Sequence, residues 1–230
     1  MTYRLCMKEL RENAVWAAIA LVVAMGVIFF RRAPDLLGPV GTHLLVPYSY
    51  YRPVSMLPGR LTLALPLLWS TYLMALFCMA WGAALGLVQT LVERGRGTYQ
   101  VLLALPVTRL QVLRAKILTG IALYLLSVGI PFALLVLRAA TPGQYPSPFR
   151  FWMVGPGVAA IACGLLAYAG AVLTVLRPAR WYVSRGVPLV AAAGISFFAG
   201  RYAFLGAAVA LAAAAVMLWG SAVAMQRRSF

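Results

Sequence analysis

Long apolar runs, separated by short basic segments, constrain this chain more than any other feature. The runs at 117–137 and 202–225 contain no charged residue at all. A helix needs about 20 mostly apolar residues to cross the hydrocarbon core of a membrane. Only 10% of the chain is charged, whereas soluble domains contain about 25% charged residues. We therefore predict an all-α polytopic membrane protein, with residues 1–230 forming a single transmembrane domain.

Six membrane spans are predicted from these runs. They lie at about 14–30, 65–92, 117–137, 151–176, 187–200 and 202–225. The fifth is short, and if it did not cross, Arg201 would be buried and the C-terminus would change sides. Six spans place 13 Lys and Arg residues on the side of the N-terminus and 7 on the other. Because basic loops stay in the cytoplasm, we expect both termini in the cytoplasm and the chain in the inner or plasma membrane.

The N-terminal stretch 1–13 mixes apolar and basic residues. This pattern suits a short amphipathic helix in the headgroup region, and a solvated leader is the alternative. The following apolar run has no small-residue cleavage site, so we expect it to be a retained span. The net charge is +16, but the arginines lie between apolar runs, where they contact membrane lipids. Nucleic acid is therefore not an expected partner.

The few ionisable residues narrow the possible functions. The four acids are Glu9, Glu12, Asp35 and Glu93, and none falls in the middle of a predicted span. Ion-coupled transporters usually need ionisable groups within the membrane. Ion-coupled transport through a proton relay is therefore disfavoured. Zinc-protease, serine-hydrolase and Walker A motifs are absent, and the cysteines lack metal-binding spacing. We expect no enzyme activity and no bound cofactor. Without a Walker A motif the chain cannot hydrolyse ATP itself, so if it moved a substrate uphill, the energy would have to come from a partner.

Residues Gly82 and Gly86 form a GxxxG motif within the second predicted span. Small residues at this spacing let helices approach closely. The chain is rich in alanine and glycine, which favours helix packing within the subunit over a dedicated dimer interface.

A basic segment with an apolar centre connects the second and third spans. Gly95 and Gly97 are expected to end the second span. Thr98 suits the N-cap of a short helix that continues to about Leu105, and Pro106 would stop it. The sequence thus predicts a short helix across the membrane face, with a simple basic interfacial loop as the alternative.

The next four residues, Thr108-Arg109-Leu110-Gln111, fit a capping box. In this motif the first and fourth residues bond to each other's backbone N–H at a helix start. We therefore predict a new helix that runs past Lys116 into the third span.

This segment resembles the ABC-2 type permease family, the membrane subunits of ATP-binding-cassette exporters. The resemblance rests on Glu93, Gly97-Thr98, the run LLALPVTR at 102–109, and Lys116. Gln100 departs from it, because the family commonly has Glu there. The resemblance implies a six-span, type V exporter-like architecture, with an N-terminal amphipathic helix and a cytoplasmic coupling helix between spans two and three.

The resemblance also implies partners and a contact surface. The short helix would dock on a separate cytoplasmic ATPase subunit, which binds ATP and Mg, and a second permease chain, identical or different, would complete the transporter. The implied contact residues are Glu93, Gly97, Thr98, Gln100, Leu102, Leu103, Leu105, Pro106 and Arg109. The leucines would anchor the helix, and a polar rim would consist of Glu93, Arg94, Arg96 and Arg109. Glu93 is equally well interpreted as a boundary residue paired with nearby arginines.

The expected function is the permease subunit of an ABC exporter. An interior without fixed charges favours a lipid-like, amphipathic or peptide substrate. The alternative is a non-transporting membrane scaffold that anchors a multiprotein complex, although a scaffold does not need the Gly-Thr and Pro-Val-Thr-Arg motif. An intramembrane enzyme is disfavoured by the missing nucleophile and metal ligands.

Overall fold

Six α-helices and one 3-10 helix make up the described part of the chain. The computed structural model describes residues 2–29, 61–95, 108–141, 151–177, 182–200 and 202–227, and none of them is in a β-strand. The helices are α1 (Thr2–Phe29), α2 (Leu61–Gly95), α3 (Arg109–Ala140), the 3-10 helix Phe151–Val154, α4 (Gly155–Leu176), α5 (Tyr182–Ala199) and α6 (Ala203–Arg227). The predicted all-α class is confirmed for these residues.

Four of the helices are long and apolar enough to cross a membrane. Their apolar stretches are Met74–Leu91, Leu110–Arg138, Gly155–Leu176 and Phe204–Gln226. They coincide with the second, third, fourth and sixth predicted spans and identify the chain as a membrane protein. Among the described residues, α5 has only a shorter apolar stretch, Ser184–Ala199, and α1 has none of sufficient length and hydropathy. The first and fifth predicted spans therefore stay predictions.

Helix α4 is the centre of the bundle. It packs against α2, α5 and α6, and 72% of its apolar stretch is buried, compared with 22% for α6. Its sequence explains this position, since glycine and alanine supply much of its buried surface and small side chains let neighbouring helices approach closely.

The predicted GxxxG packing within the subunit is confirmed at the contact between α2 and α4. A Cβ atom added at Gly82 would overlap the backbone carbonyl of Gly164. One added at Gly86 would lie 2.8 Å from the carbonyl oxygen of Tyr168 and 2.9 Å from the Cβ of Ala171. The absence of side chains at these two positions is therefore what permits the close approach.

Side-chain hydrogen bonds connect α3 to both helices of this pair. Trp81 of α2 donates its indole N–H to the hydroxyl of Ser127 at 2.9 Å. The hydroxyl of Tyr124 donates to the carbonyl oxygen of Ile161 in α4 at 3.0 Å. Such bonds between membrane helices contribute about 0.6 kcal/mol each on average. Their contribution to stability is therefore small, and their main effect is on the orientation of α3.

The N-terminal residues differ from the sequence prediction. Residues 2–13 form neither a separate interfacial helix nor a solvated leader, because α1 is one continuous helix from Thr2 to Phe29. No proline or glycine interrupts the chain before Gly26, so nothing ends the helix at residue 13. Glu9 and Asn13 are buried together with three alanines further along α1, and α1 packs against α3 and α2.

Candidate functional site

The predicted contact segment lies mainly outside the described residues. Glu93 is in the last turn of α2 and Arg109 is the first residue of α3. The other seven predicted contact residues are outside the described part of the chain: Gly97, Thr98, Gln100, Leu102, Leu103, Leu105 and Pro106. The structure therefore describes the two helices that flank this segment, and the described part of α2 extends to Gly95.

The capping box predicted at the start of α3 is confirmed. The backbone N–H of Gln111 donates to the hydroxyl oxygen of Thr108 at 3.4 Å, and the Thr108 N–H donates to the side-chain oxygen of Gln111 at 3.1 Å. These bonds satisfy the backbone N–H groups of Thr108 and Gln111 at the helix start. From there α3 continues for 32 residues to Ala140. The chain that leaves the predicted contact segment thus enters one long helix directly.

A buried ion pair connects α3 to α1. The Nζ atom of Lys116 lies 3.2 Å from Oε1 of Glu9, and the two side chains are only 3% and 8% exposed. Burying a charge is costly unless a partner and hydrogen bonds compensate for the lost water. The position of the N-terminal part of α1 is therefore bound to that of α3.

Gln89 of α2 lies at the centre of the hydrogen bonds around this ion pair. Its side-chain nitrogen donates to the carbonyl oxygen of Lys116 at 2.9 Å and to Oε2 of Glu9 at 3.4 Å. Its own backbone oxygen accepts from Lys116 Nζ at 3.3 Å, and its side-chain oxygen accepts from the Tyr168 hydroxyl at 3.0 Å. We refer to Glu9, Gln89, Lys116 and Tyr168 as the polar cluster; it joins α1, α2, α3 and α4.

The polar cluster needs a residue without a side chain at Gly120. A Cβ atom there would overlap the Tyr168 hydroxyl and lie 2.6 Å from the side-chain oxygen of Gln89. On α1, the side-chain amide of Asn13 donates to the carbonyl oxygen of Glu9 at 2.9 Å. Gly120 on α3 thus leaves space for the cluster, and Asn13 on α1 hydrogen-bonds to the backbone of Glu9.

The location of the polar cluster determines what it can do mechanically. Gln89 precedes the end of α2, and Lys116 follows the start of α3, each by about two helical turns. The cluster therefore joins the two helices that enter and leave the predicted contact segment, and adds α1 and α4 to them. A displacement applied at the segment would move the four helix ends together, because packed elements shift as rigid bodies.

The described residues around the polar cluster can be compared with the ligand sets of metal sites. No group of three or more His, Cys, Asp or Glu residues that could bind a metal ion occurs within the described part of the chain. The polar cluster contains one acid and one base already paired with each other. Its arrangement serves to join helices.

The sequence prediction missed most of the polar cluster. The sequence prediction assigns Glu9 to the headgroup region, uses Lys116 only as part of the helix that leads into the third span and of the family motif, and does not single out Gln89 or Tyr168. A signal for Glu9 does exist. Glu9 lies one turn before Asn13 and two turns before Ala17, so a face of α1 consists of polar and small residues. In a membrane helix such a face points towards other helices, because large apolar side chains suit the lipid.

The structure establishes two things about the class of the protein. Its described residues are helical, and four of its helices can cross a membrane. Comparisons with known protein families, with curated proteins and with solved structures find no match for the chain.

Proposed function

We propose that this chain is the permease subunit of an ABC-2 type ATP-binding-cassette exporter. It would move a substrate across the membrane with energy from ATP hydrolysed by a separate cytoplasmic ATPase subunit, where ATP and Mg bind. The observation that carries the proposal is the segment between α2 and α3, with its Gly97-Thr98 and Pro106 to Arg109 motif, set between two membrane helices.

The polar cluster supports this proposal mechanically. In the proposed cycle, the short helix predicted at 98–105 docks on the ATPase, and closure of the ATPase pair pushes on it. The push reaches α2 and α3 at once, because Gln89 and Lys116 hold their ends together. Helix α1 follows through Glu9 and α4 through Tyr168. The cluster would thus convert a local displacement into a common movement of four helices.

The proposal includes six spans, with both termini in the cytoplasm of the inner or plasma membrane. The two spans to be added are α1 and α5. Three exposed apolar side chains of α1, Val15, Ile19 and Val22, suit contact with lipid. Helix α5 has 18 residues, about 27 Å in length, which nearly matches a hydrocarbon core of about 30 Å. A second permease chain, identical or different, completes the transporter.

The proposal is tested by co-expressing the chain with candidate ATPases, purifying it through a tag, and measuring ATP hydrolysis in the purified complex. One variant replaces residues 98–105 with a Gly/Ser linker. A matched control replaces 142–149, in the predicted outer loop, with a linker of the same length. We expect an ATPase to co-purify with wild type and control, with ATP hydrolysis that depends on the permease, and both properties to be lost in the 98–105 variant.

Two results would overturn the proposal in different ways. If no ATPase co-purifies with the wild-type chain, it is not an ABC permease. If an ATPase binds but its activity is the same with the 98–105 linker, the segment does not couple the subunits, and the scaffold interpretation replaces that of a transporter.

A further inference from the structure

An open depression of about 870 Å³ lies against the N-terminal turns of α1. Its described lining consists of Met7, Lys8, Leu10, Arg11, Glu12 and Ala14, all of them exposed. This volume is within the range of about 300–1,000 Å³ that is usual for sites of small organic ligands. We call this region the α1 groove.

The lining of the α1 groove combines apolar and cationic groups. Met7, Leu10 and Ala14 supply apolar surface, and Lys8 and Arg11 supply two positive charges. The one acid, Glu12, lies 3.8 Å from the Lys8 ammonium, and both side chains are more than two-fifths exposed. An exposed pair of this kind contributes little free energy, so Lys8 can exchange Glu12 for a bound anion.

The same face of α1 continues into an apolar surface. Arg11 lies one turn after Met7, and Val15 lies one turn after Arg11, so the three share a face of the helix. Val15 and Val22 are 65% and 67% exposed. No charged residue occurs between Asn13 and Phe29. Cationic groups and a long apolar surface therefore follow one another along a single line on the outside of α1.

We propose that the α1 groove binds an anionic phospholipid of the surrounding membrane. The phosphate lies between Lys8 and Arg11, and an acyl chain lies along Val15 and Val22. Basic residues next to a membrane surface attract anionic lipids, and the adjoining apolar face of the helix accounts for the chain. The inference depends on the membrane class of the protein and is independent of the proposed transport function.

The experiment is native mass spectrometry of the full chain in detergent, with phosphatidylglycerol or phosphatidylcholine added at equal concentrations. We expect the wild-type protein to bind phosphatidylglycerol more tightly. Each basic residue near an anionic headgroup contributes about 1 kcal/mol. Arg11→Gln should therefore weaken phosphatidylglycerol binding about fivefold, and Lys8→Gln with Arg11→Gln about 25-fold. Phosphatidylcholine binding should be unchanged.

Two further variants separate a local site from a general effect of charge. Arg177→Gln removes an exposed arginine from the C-cap of α4 and should leave phosphatidylglycerol binding unchanged. Glu12→Gln removes the acid from the groove and should strengthen binding. The proposal is overturned if wild type binds both lipids equally, if Arg177→Gln weakens binding as much as Arg11→Gln, or if Glu12→Gln weakens it. Because Glu12→Gln predicts a gain, it tests the site even if the double variant folds poorly.

Discussion

Replacing Lys116 with methionine would leave the carboxylate of Glu9 buried without its ion-pair partner. The two side chains are 3% and 8% exposed and 3.2 Å apart. Removing one partner of a buried pair costs about 3–5 kcal/mol, because the remaining charge has lost both water and partner. The change also removes the bond from Nζ to the carbonyl oxygen of Gln89. We expect Lys116→Met to lower the free energy of unfolding by about 3–5 kcal/mol.

Removing both charges should be much less harmful than removing one. A double variant, Glu9→Leu with Lys116→Met, leaves no uncompensated charge, and replacing a whole buried pair by apolar residues is often neutral. Gln89 keeps its bond to the carbonyl oxygen of residue 116. The exposed pair of Lys8 and Glu12 on the same helix, 3.8 Å apart, is the matched control. Lys8→Met should cost less than about 1 kcal/mol.

The assay is equilibrium unfolding in mixed micelles with an increasing fraction of sodium dodecyl sulfate, followed by circular dichroism. The four proteins of the Glu9 and Lys116 double-mutant cycle give the coupling energy directly. We expect a favourable coupling of at least about 2 kcal/mol. Single variants that each cost less than about 1 kcal/mol, with effects that simply add in the double variant, would refute the view that this pair binds α1 to α3.

Three further variants test the contacts around the polar cluster and at the start of α3. Gly120→Ala forces a Cβ against the Tyr168 hydroxyl and should lower the free energy of unfolding by about 1–3 kcal/mol. The control is Gly129→Ala on the same helix, where an added Cβ meets no heavy atom within 4 Å, so this change should be neutral or stabilising. Equal effects of the two changes would contradict the overlap at Gly120. Gly82→Ala would overlap the backbone of α4 and should cost about 1–3 kcal/mol in the same titration, so a stable variant would be inconsistent with the close approach of α2 and α4. Thr108→Ala removes the capping bond and should cost about 1 kcal/mol, visible as faster amide hydrogen exchange in the first turn of α3; unchanged exchange would exclude the cap.

Features that depend on residues close together in the sequence could be predicted. The capping box at Thr108 needs only Gln111, one turn away, and both bonds are present. Four of the six predicted spans coincide with helices long and apolar enough to cross a membrane, because a run of about 20 uncharged apolar residues is a strong local signal of a span. The packing contact at Gly82 could be predicted because a GxxxG pair in an apolar helix usually permits close helix packing.

Features that depend on distant residues could not be predicted. Glu9 is on the N-terminal part of the chain and its partner Lys116 is on the third helix, so neither reveals the pair by spacing. When the pair is not known, the charged residues of the N-terminal stretch predict a helix at the membrane interface. For this reason the continuity of α1 was not predicted. Gln89 has no charge and no motif, and only its contacts with three other helices make it central.

Photo-crosslinking can test whether the segment between α2 and α3 contacts an ATPase, as we propose. A photoreactive benzoylphenylalanine replaces Leu103 in that segment, and in a second protein it replaces Phe151, the exposed first residue of the 3-10 helix. Each protein is irradiated in complex with the ATPase that co-purifies with it. We expect a crosslink to the ATPase from position 103 and none from position 151. No crosslink from position 103, or equal crosslinks from both positions, would contradict the proposal.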